Sequence, residues 1–225
     1  MEMQTKKNKK NDLNLVKLYF SEKISIYKKL NFKNILNLAN LINNTYKKDG
    51  SIFIMGNGGS SGIAEGFAVD IRTHPFVSEN KNKTTNLRRP KVICLTESAG
   101  ALTGISNDLG FNHVFAEQLK NFMRSKIINK NDLLVVFSAS GNSQNMIEAI
   151  NFVKKYNVKT CCVSGRGGGK ASSIVDLPII IPGKPSLFPG QTGKNDNNFH
   201  IEDIQNSISH IITGLLKKSV NKKIK

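Results

Sequence analysis

Two short stretches of this sequence have the makings of an anion site: "GNGGSSG" at residues 56–62 and "SASGNSQN" at residues 138–145. Each follows an apolar, strand-like run, and each is rich in small and hydroxyl-bearing residues. In the second, Ser138, Ser140 and Ser143 surround Gly141, and a helix starts near Asn142 or Ser143. Hydroxyls and backbone N–H groups at a helix N-terminus hold a phosphate without a strong positive charge. The plainer alternative is a turn with an N-cap. One such loop alone favours that alternative; the two together favour phosphate. Neither is a P-loop, because no G-K-[ST] follows the glycines, and neither keeps G-x-G-x-x-G spacing.

Proton-transfer chemistry has a candidate on the last helix. At about 100° per residue, His210 shares a face with Glu202, Asp203 and Asn206, opposite a stripe of Ile201, Ile204, Ile208, Ile212 and Leu215. An imidazole beside carboxylates is the equipment of general acid–base catalysis. A solvated polar face is the commoner fate of such a pattern.

These residues need elements to place them. Apolar spacing predicts helices over about residues 12–30 (Leu13, Val16, Leu18, Tyr19, Ile24, Tyr27) and 33–48, the second stopped by Gly50 in "KKDGS". Five buried strands follow: "SIFIM", "KVICLT", "DLLVVFS", "VKTCCVS" and "LPIII". Between them lie helix candidates at about 60–71, 100–106, 113–127, 143–156 and 170–175, and a last helix at about 201–217. The alternation predicts an α/β three-layer sandwich with a five-stranded parallel sheet flanked by helices. Ligands bind such sheets at the carboxyl ends of the strands, where the glycine- and serine-rich loops fall. Residues 74–90 read as a polar surface loop. Residues 182–199, with three prolines and three glycines, read as irregular and suited to a lid. The expected organisation is a basic flexible tail at 1–11, one domain at 12–217 (helices 12–48, α/β core 51–217) and a second basic tail at 218–225.

The formal charge of +17 invites a nucleic-acid reading, but much of the excess sits in "TKKNKKN" and "KKSVNKKIK" at the two ends. The chain has no Trp and no nucleic-acid fold signature, so nucleic-acid contact through the tails is not expected. No apolar run is long enough for a membrane span, which points to the cytoplasm and no membrane partner. Cys94, Cys161 and Cys162 lie inside apolar runs at a spacing that fits no metal motif, and are expected as buried free thiols.

"GNGGSS", "LTESAGALTGISNDLGFN", "SASGNSQN", "SGRGGGKAS" and "IEDIQNSISH" stand in the order and approximate spacing of a sugar isomerase (SIS) domain. Over about residues 33–217 the chain most resembles the phosphoheptose isomerase branch of that family. The resemblance implies the SIS fold, a sugar-phosphate ligand and a homotetramer with the N-terminal helices between subunits. It implies substrate contacts at Asn57, Gly58, Ser60, Ser98, Thr103, Ser138, Ser140 and Ser143, with Ser106 to Asp108 matching the family's "ND-G" loop. The catalytic carboxylate aligns with Asp70 and the catalytic histidine with His210, and Glu202 is a second candidate base. The reaction implied is aldose–ketose isomerisation through an enediolate, from sedoheptulose 7-phosphate to D-glycero-D-manno-heptose 7-phosphate or a close analogue. The rival is a non-catalytic SIS protein that binds a sugar phosphate and serves as a regulatory or docking module.

The chain departs from the branch at several positions. Where relatives carry His and Glu four residues apart, this sequence has Gly66 and Asp70, and Glu202 stands at a Gln position. Ser98 replaces an acidic residue common in relatives, with Glu97 beside it, and Glu65 shares the helix of Asp70. The relatives' His, Glu, Gln and His can hold zinc. Here the potential metal ligands reduce to Asp70, Glu202 and His210, since glycine cannot ligate. Two carboxylates and one imidazole are a chemically feasible zinc set, but Gly66 in place of the histidine argues against zinc, and no cofactor is expected to be required.

Overall fold

The computed structural model describes residues 2–183, 185–193 and 197–221, residues 2–10 as backbone only. Helices α1 (Glu2–Tyr27) and α2 (Phe32–Lys47) come first, followed by β1 (Ser51–Gly56), α3 (Gly59–Thr73) and β2 (Lys91–Cys94). Next are α4 (Ala99–Leu109), α5 (Val114–Lys120), β3 (Leu133–Ser138), α6 (Gln144–Lys154) and β4 (Lys159–Ser164). The chain ends in α7 (Gly169–Ile174), β5 (Leu177–Ile180) and α8 (Asn198–Asn221).

The five apolar runs form one parallel sheet in the order β2-β1-β3-β4-β5. Side chains alternate across a strand, and here both faces are covered, which is why the strands read as continuous apolar runs. Ile52, Ile54, Leu133, Val135 and Phe137 join Ile42, Phe67, Ile71, Ile204 and Ile208 from α2, α3 and α8 on one face. Phe53, Met55, Leu134 and Val136 join Val114, Leu119, Ile147 and Ile150 from α5 and α6 on the other. The sheet order puts β1 and β3 side by side, with Gly56 paired to Phe137. The two glycine- and serine-rich loops therefore leave the sheet next to each other. The three cysteines are buried thiols, and burial raises their pKa values, that of Cys162 to about 12.

Four regions differ from the sequence expectation. The helix expected at 113–127 ends at Lys120, because the Asn129 side-chain oxygen accepts from the amides of Arg124 (3.0 Å) and Ser125 (3.3 Å) and turns the chain there. The 74–90 segment is not all surface. Phe76 is fully buried against Tyr46, and the Arg89 guanidinium lies 4.8 Å over the Phe76 ring. The segments assigned to tails carry helix: α1 takes in residues 2–11 and α8 continues through Asn221. Lys, Gln, Met and Glu are good helix formers, so a polar run need not fray. Met1 and residues 222–225 lie outside the described residues. In the proline-rich stretch the turn at Ser186–Gln191 is tied down by backbone bonds, while residues 184 and 194–196 lie outside the described residues.

Candidate active site

A cavity of about 380 Å³ opens at the carboxyl ends of β1 and β3, lined by Asn57, Gly58, Ser60, Ser138, Ser140 and Ser143 among others. Three helices begin at its wall: α3 at Gly59, α6 just after its N-cap Ser143, and α8 at Asn198. Helix N-termini carry partial positive charge and unpaired N–H donors, so their convergence favours an anion. The serines complete it. Ser138 Oγ accepts from the Gly141 amide (3.1 Å) and Ser140 Oγ from the Asn142 amide (3.2 Å). A hydroxyl that accepts from the backbone retains its own O–H to donate outward. Ser143 holds the N-cap position without making a capping bond.

The loop geometry requires glycine at position 141. Gly141 has φ +65°, and a Cβ there would overlap the Gly168 carbonyl. This close approach brings the 138–143 loop against the "GRGGG" loop after β4. It carries Arg166 to the cavity wall, where the guanidinium donates to Asn198 Oδ1 at 2.7 Å. Neither Arg166 nor Asn198 was among the candidates read from the sequence. The signal for Arg166 was present in "SGRGGGKAS", a loop at the carboxyl end of a strand. Asn198 gave none. At the cavity wall, Asn57 exchanges amide hydrogen bonds with Asn145 at 3.0 and 3.1 Å, joining the two loops.

Glu202 reaches the same cavity from the first turns of α8 and lies so close to Gly59 that a Cβ there would overlap its carboxylate. Burial, and then the charge of Asp203, raise the Glu202 pKa above its ordinary value. Ser60 lines the cavity too, but it is 2% exposed and its hydroxyl donates to Gln205 Oε1 at 2.9 Å, so only its lone pairs remain for a ligand. Gln205 in turn donates to the Val163 carbonyl at 2.8 Å.

Asp70 and His210 come together, but not in this cavity. They sit on α3 and α8, with His210 Nε2 3.9 Å from Asp70 Oδ2, and neither lines the cavity. The eight residues from Glu202 to His210 span about 12 Å of helix. Ser98 and Thr103 are elsewhere again. Ser98 is the N-cap of α4 and accepts from the Ala101 amide at 3.1 Å, and Thr103 donates to the Ala99 carbonyl at 2.7 Å; both are exposed. Glu97 is held by Arg72 at 2.9 Å.

The donor set does not make a zinc site within this chain. Gly66 offers no ligand, and the space a Cβ would occupy there has no atom within 4 Å. Asp70 and His210 are left as a pair, with Glu202 about two helical turns away. Among the described residues no three His, Cys, Asp or Glu side chains are placed to share a metal.

A parallel sheet with hydroxyl-rich loops and converging helix N-termini at its carboxyl edge defines an α/β domain built to hold a phosphorylated ligand. The chain belongs to the SIS domain family, which it matches over residues 19–165, and within that family to the phosphoheptose isomerase branch. It is 35% identical to the phosphoheptose isomerase of Campylobacter concisus, over 76% of this chain and 82% of that protein. It is 36% identical to that of Helicobacter pylori, over 64% of this chain and 68% of that protein. The solved structure of phosphoheptose isomerase from Neisseria gonorrhoeae superposes with a TM-score of 0.71 at 26% identity, covering 90% of this chain and 97% of that one. The expected five-stranded α/β sandwich is the observed fold.

Proposed function

We propose that this protein interconverts sedoheptulose 7-phosphate and D-glycero-D-manno-heptose 7-phosphate, as its relatives' name implies for them. The observation that carries the proposal is the Asp70–His210 pair on α3 and α8, two helices whose N-terminal ends also form the anion cavity. In the ketose-to-aldose direction a base removes a proton from C1. The electrons of that C–H bond form the C1–C2 double bond of an enediolate while the C2 carbonyl oxygen takes up negative charge. Return of a proton to C2 and loss of the O1 proton give the aldehyde, with O2 protonated. A carboxylate suits the carbon-bound proton and an imidazole the oxygen-bound ones. Asp70 or Glu202 serves as the base, and His210 shuttles protons between O1 and O2. Ser138, Ser140, Ser143 and Arg166 hold the phosphate.

The pair is open to solvent, with side chains 62% exposed for His210 and 33% for Asp70. An enediolate needs protection from water, so a second copy of the chain supplies the missing wall. Leu13, Val16, Phe20 and Ile24 of α1, each at least half exposed, form an apolar stripe suited to such an assembly, in keeping with a homotetramer. No described helix is long and apolar enough to cross a membrane, and the cytoplasm is where we place the protein. A carboxylate–imidazole pair argues against a purely binding role.

Incubation of the purified protein with sedoheptulose 7-phosphate in deuterium oxide tests the proposal. Aldoheptose phosphate carrying carbon-bound deuterium is the expected product. Unlabelled, unchanged ketose would overturn it.

A further inference from the structure

Helix α1 does more in this chain than present an outward stripe. The face beside that stripe carries Tyr19, Glu22 and Lys23, spaced as neighbours on the helix. All three reach the segment that leads into the cavity. Tyr19 Oη and Lys23 Nζ each donate to Asp203 Oδ2 at 2.7 Å. Glu22 accepts from Ser186 Oγ at 2.6 Å, from the Leu187 amide at 3.1 Å and pairs with His200 Nε2 at 3.0 Å. One carboxylate thus ties the 186–187 turn to the start of α8. Asn198 and Glu202, two residues to either side of His200, line the sugar-phosphate cavity.

Packing alone does not fix this segment. Behind it lies a second cavity of about 410 Å³, lined by Glu22, Ile26, Pro182, Leu187 and His200 among others. The turn therefore borders open space and is held by directional bonds. His200 is 1% exposed, and its Nδ1 has no hydrogen-bond partner among the described residues, so its ring is oriented through Nε2 alone, with the Tyr19 ring 4.3 Å away. Burial pulls the Glu22 carboxyl upward, but the bonds from Ser186, His200 and the Leu187 amide outweigh it and leave the pKa below the ordinary value. Glu22 is a charged acceptor in use on three sides.

We propose that Glu22 is a positioning residue for the sugar-phosphate cavity, acting through Ser186 and His200 to hold Asn198 and Glu202 in place. The proposal rests on the reading of that cavity as the sugar-phosphate site. Loss of a hydrogen bond to a charged group is worth about 1.5–3 kcal/mol, or roughly a tenfold to hundredfold change in an equilibrium constant. Glu22→Ala should accordingly raise KM for sedoheptulose 7-phosphate about tenfold or more, with a smaller change in kcat. Calorimetric Kd values for sedoheptulose 7-phosphate should rise in parallel. Ser186→Ala, which removes one of the three bonds, should give a smaller shift in the same direction, and it carries the test should Glu22→Ala be insoluble. Amide hydrogen exchange of the ligand-free variants should speed up over residues 185–193 and 197–203 while the β1 and β3 amides stay protected. Glu22→Gln, which retains an acceptor, should recover part of the loss. A wild-type protein that binds no sedoheptulose 7-phosphate would overturn the reading of the cavity and leave the exchange result to judge whether Glu22 holds the 186–187 turn and the start of α8. Wild-type KM and Kd in the variants, alongside a lowered Tm, would make Glu22 merely structural and overturn the proposal.

Discussion

His210 Nε2 stands 3.9 Å from Asp70 Oδ2 across the packed surfaces of α3 and α8. The separation is too long for a hydrogen bond but short enough for direct charge coupling once the imidazole is protonated. Catalytic hydrogen bonds often tighten only when substrate is present. The two residues come from positions 140 apart in the sequence, and nothing near either one announces the other.

The first prediction concerns this pair. His210→Ala and Asp70→Asn should each lower kcat by about 10²–10⁴-fold, the usual worth of a positioned acid or base. Both should leave Kd for the sugar phosphate within about threefold, because neither residue lines the cavity. Steady-state kinetics with calorimetry checks this, and near-wild-type kcat in either variant would remove that residue from the mechanism.

The frame of this site was legible in the sequence because strands buried on both faces leave long apolar runs, and loops at their carboxyl ends are where such sheets bind ligands. That reasoning reached Ser138, Ser140 and Ser143, which the cavity contains. The resemblance pointed to Asp70 and His210, which the structure brings within 3.9 Å of each other outside the cavity. Ser98 and Thr103 came from the same resemblance, but neither lines the cavity: Ser98 caps α4 and Thr103 lies on it, both exposed. Arg166 and Asn198 were missed because their meeting depends on how two distant loops cross, and that crossing depends on a glycine contact at 141 and 168 that no local pattern encodes. The inward role of α1 was hidden for a related reason. Tyr19 reads as part of the helix's apolar spacing, and Glu22 and Lys23 as ordinary solvated charges, until Asp203, Ser186 and His200 are placed against them.

Gly59→Ala provides a second test with little disturbance to the fold. The new methyl overlaps the Glu202 carboxylate, the free end of a flexible side chain, which can swing away. Stability should change by less than about 1 kcal/mol, since alanine is the better helix former. If Glu202 does chemistry, kcat should fall in step with its displacement. Unaltered kcat with a displaced Glu202 in a crystal structure would leave Asp70 as the base.

A third prediction follows from the raised pKa of Glu202, caused first by burial and then by Asp203. If Glu202 rather than Asp70 is the base, it works ionised, so kcat/KM should rise with pH through a limb lying above the ordinary glutamate value of about 4.3. Glu202→Gln should erase that limb. For stability the sign is opposite. A carboxyl that is harder to ionise in the folded state makes the fold less stable as pH climbs through that pKa. Glu202→Gln should thus raise Tm at pH 7 while lowering activity. A Tm that falls at pH 7 would contradict the assigned shift.

Arg166 gives a fourth. Among the described residues that line the cavity, Arg166 carries the cationic side chain, which donates to Asn198 at 2.7 Å, and charge-assisted bonds to phosphate are the strong ones. Arg166→Ala should raise KM for the sugar phosphate about tenfold or more, in line with about 1.5–3 kcal/mol for a charged hydrogen bond. Arg166→Lys should restore only part of the affinity, because the ammonium lacks the planar fork that reaches Asn198 and phosphate together. Inorganic phosphate should compete with substrate in the wild type and weakly in Arg166→Ala. Equal inhibition of both would place the phosphate elsewhere.

The last prediction concerns assembly. Leu13, Val16, Phe20 and Ile24 fall at spacings of three and four, a single stripe on α1, and are 50–57% exposed. Replacing Phe20 and Ile24 together with Asp removes apolar area that folding of one chain does not bury, so the circular dichroism spectrum should keep its helix and sheet content. Light scattering should show a smaller species than the wild type, because a desolvated carboxylate in an apolar interface is strongly unfavourable. Activity should fall with the loss of assembly, since Asp70 and His210 then face water. A dissociated variant that isomerises at the wild-type rate would show that one chain holds the whole site. A wild type that is itself a single chain in solution would remove the tetramer from the proposal and leave the stripe without that partner.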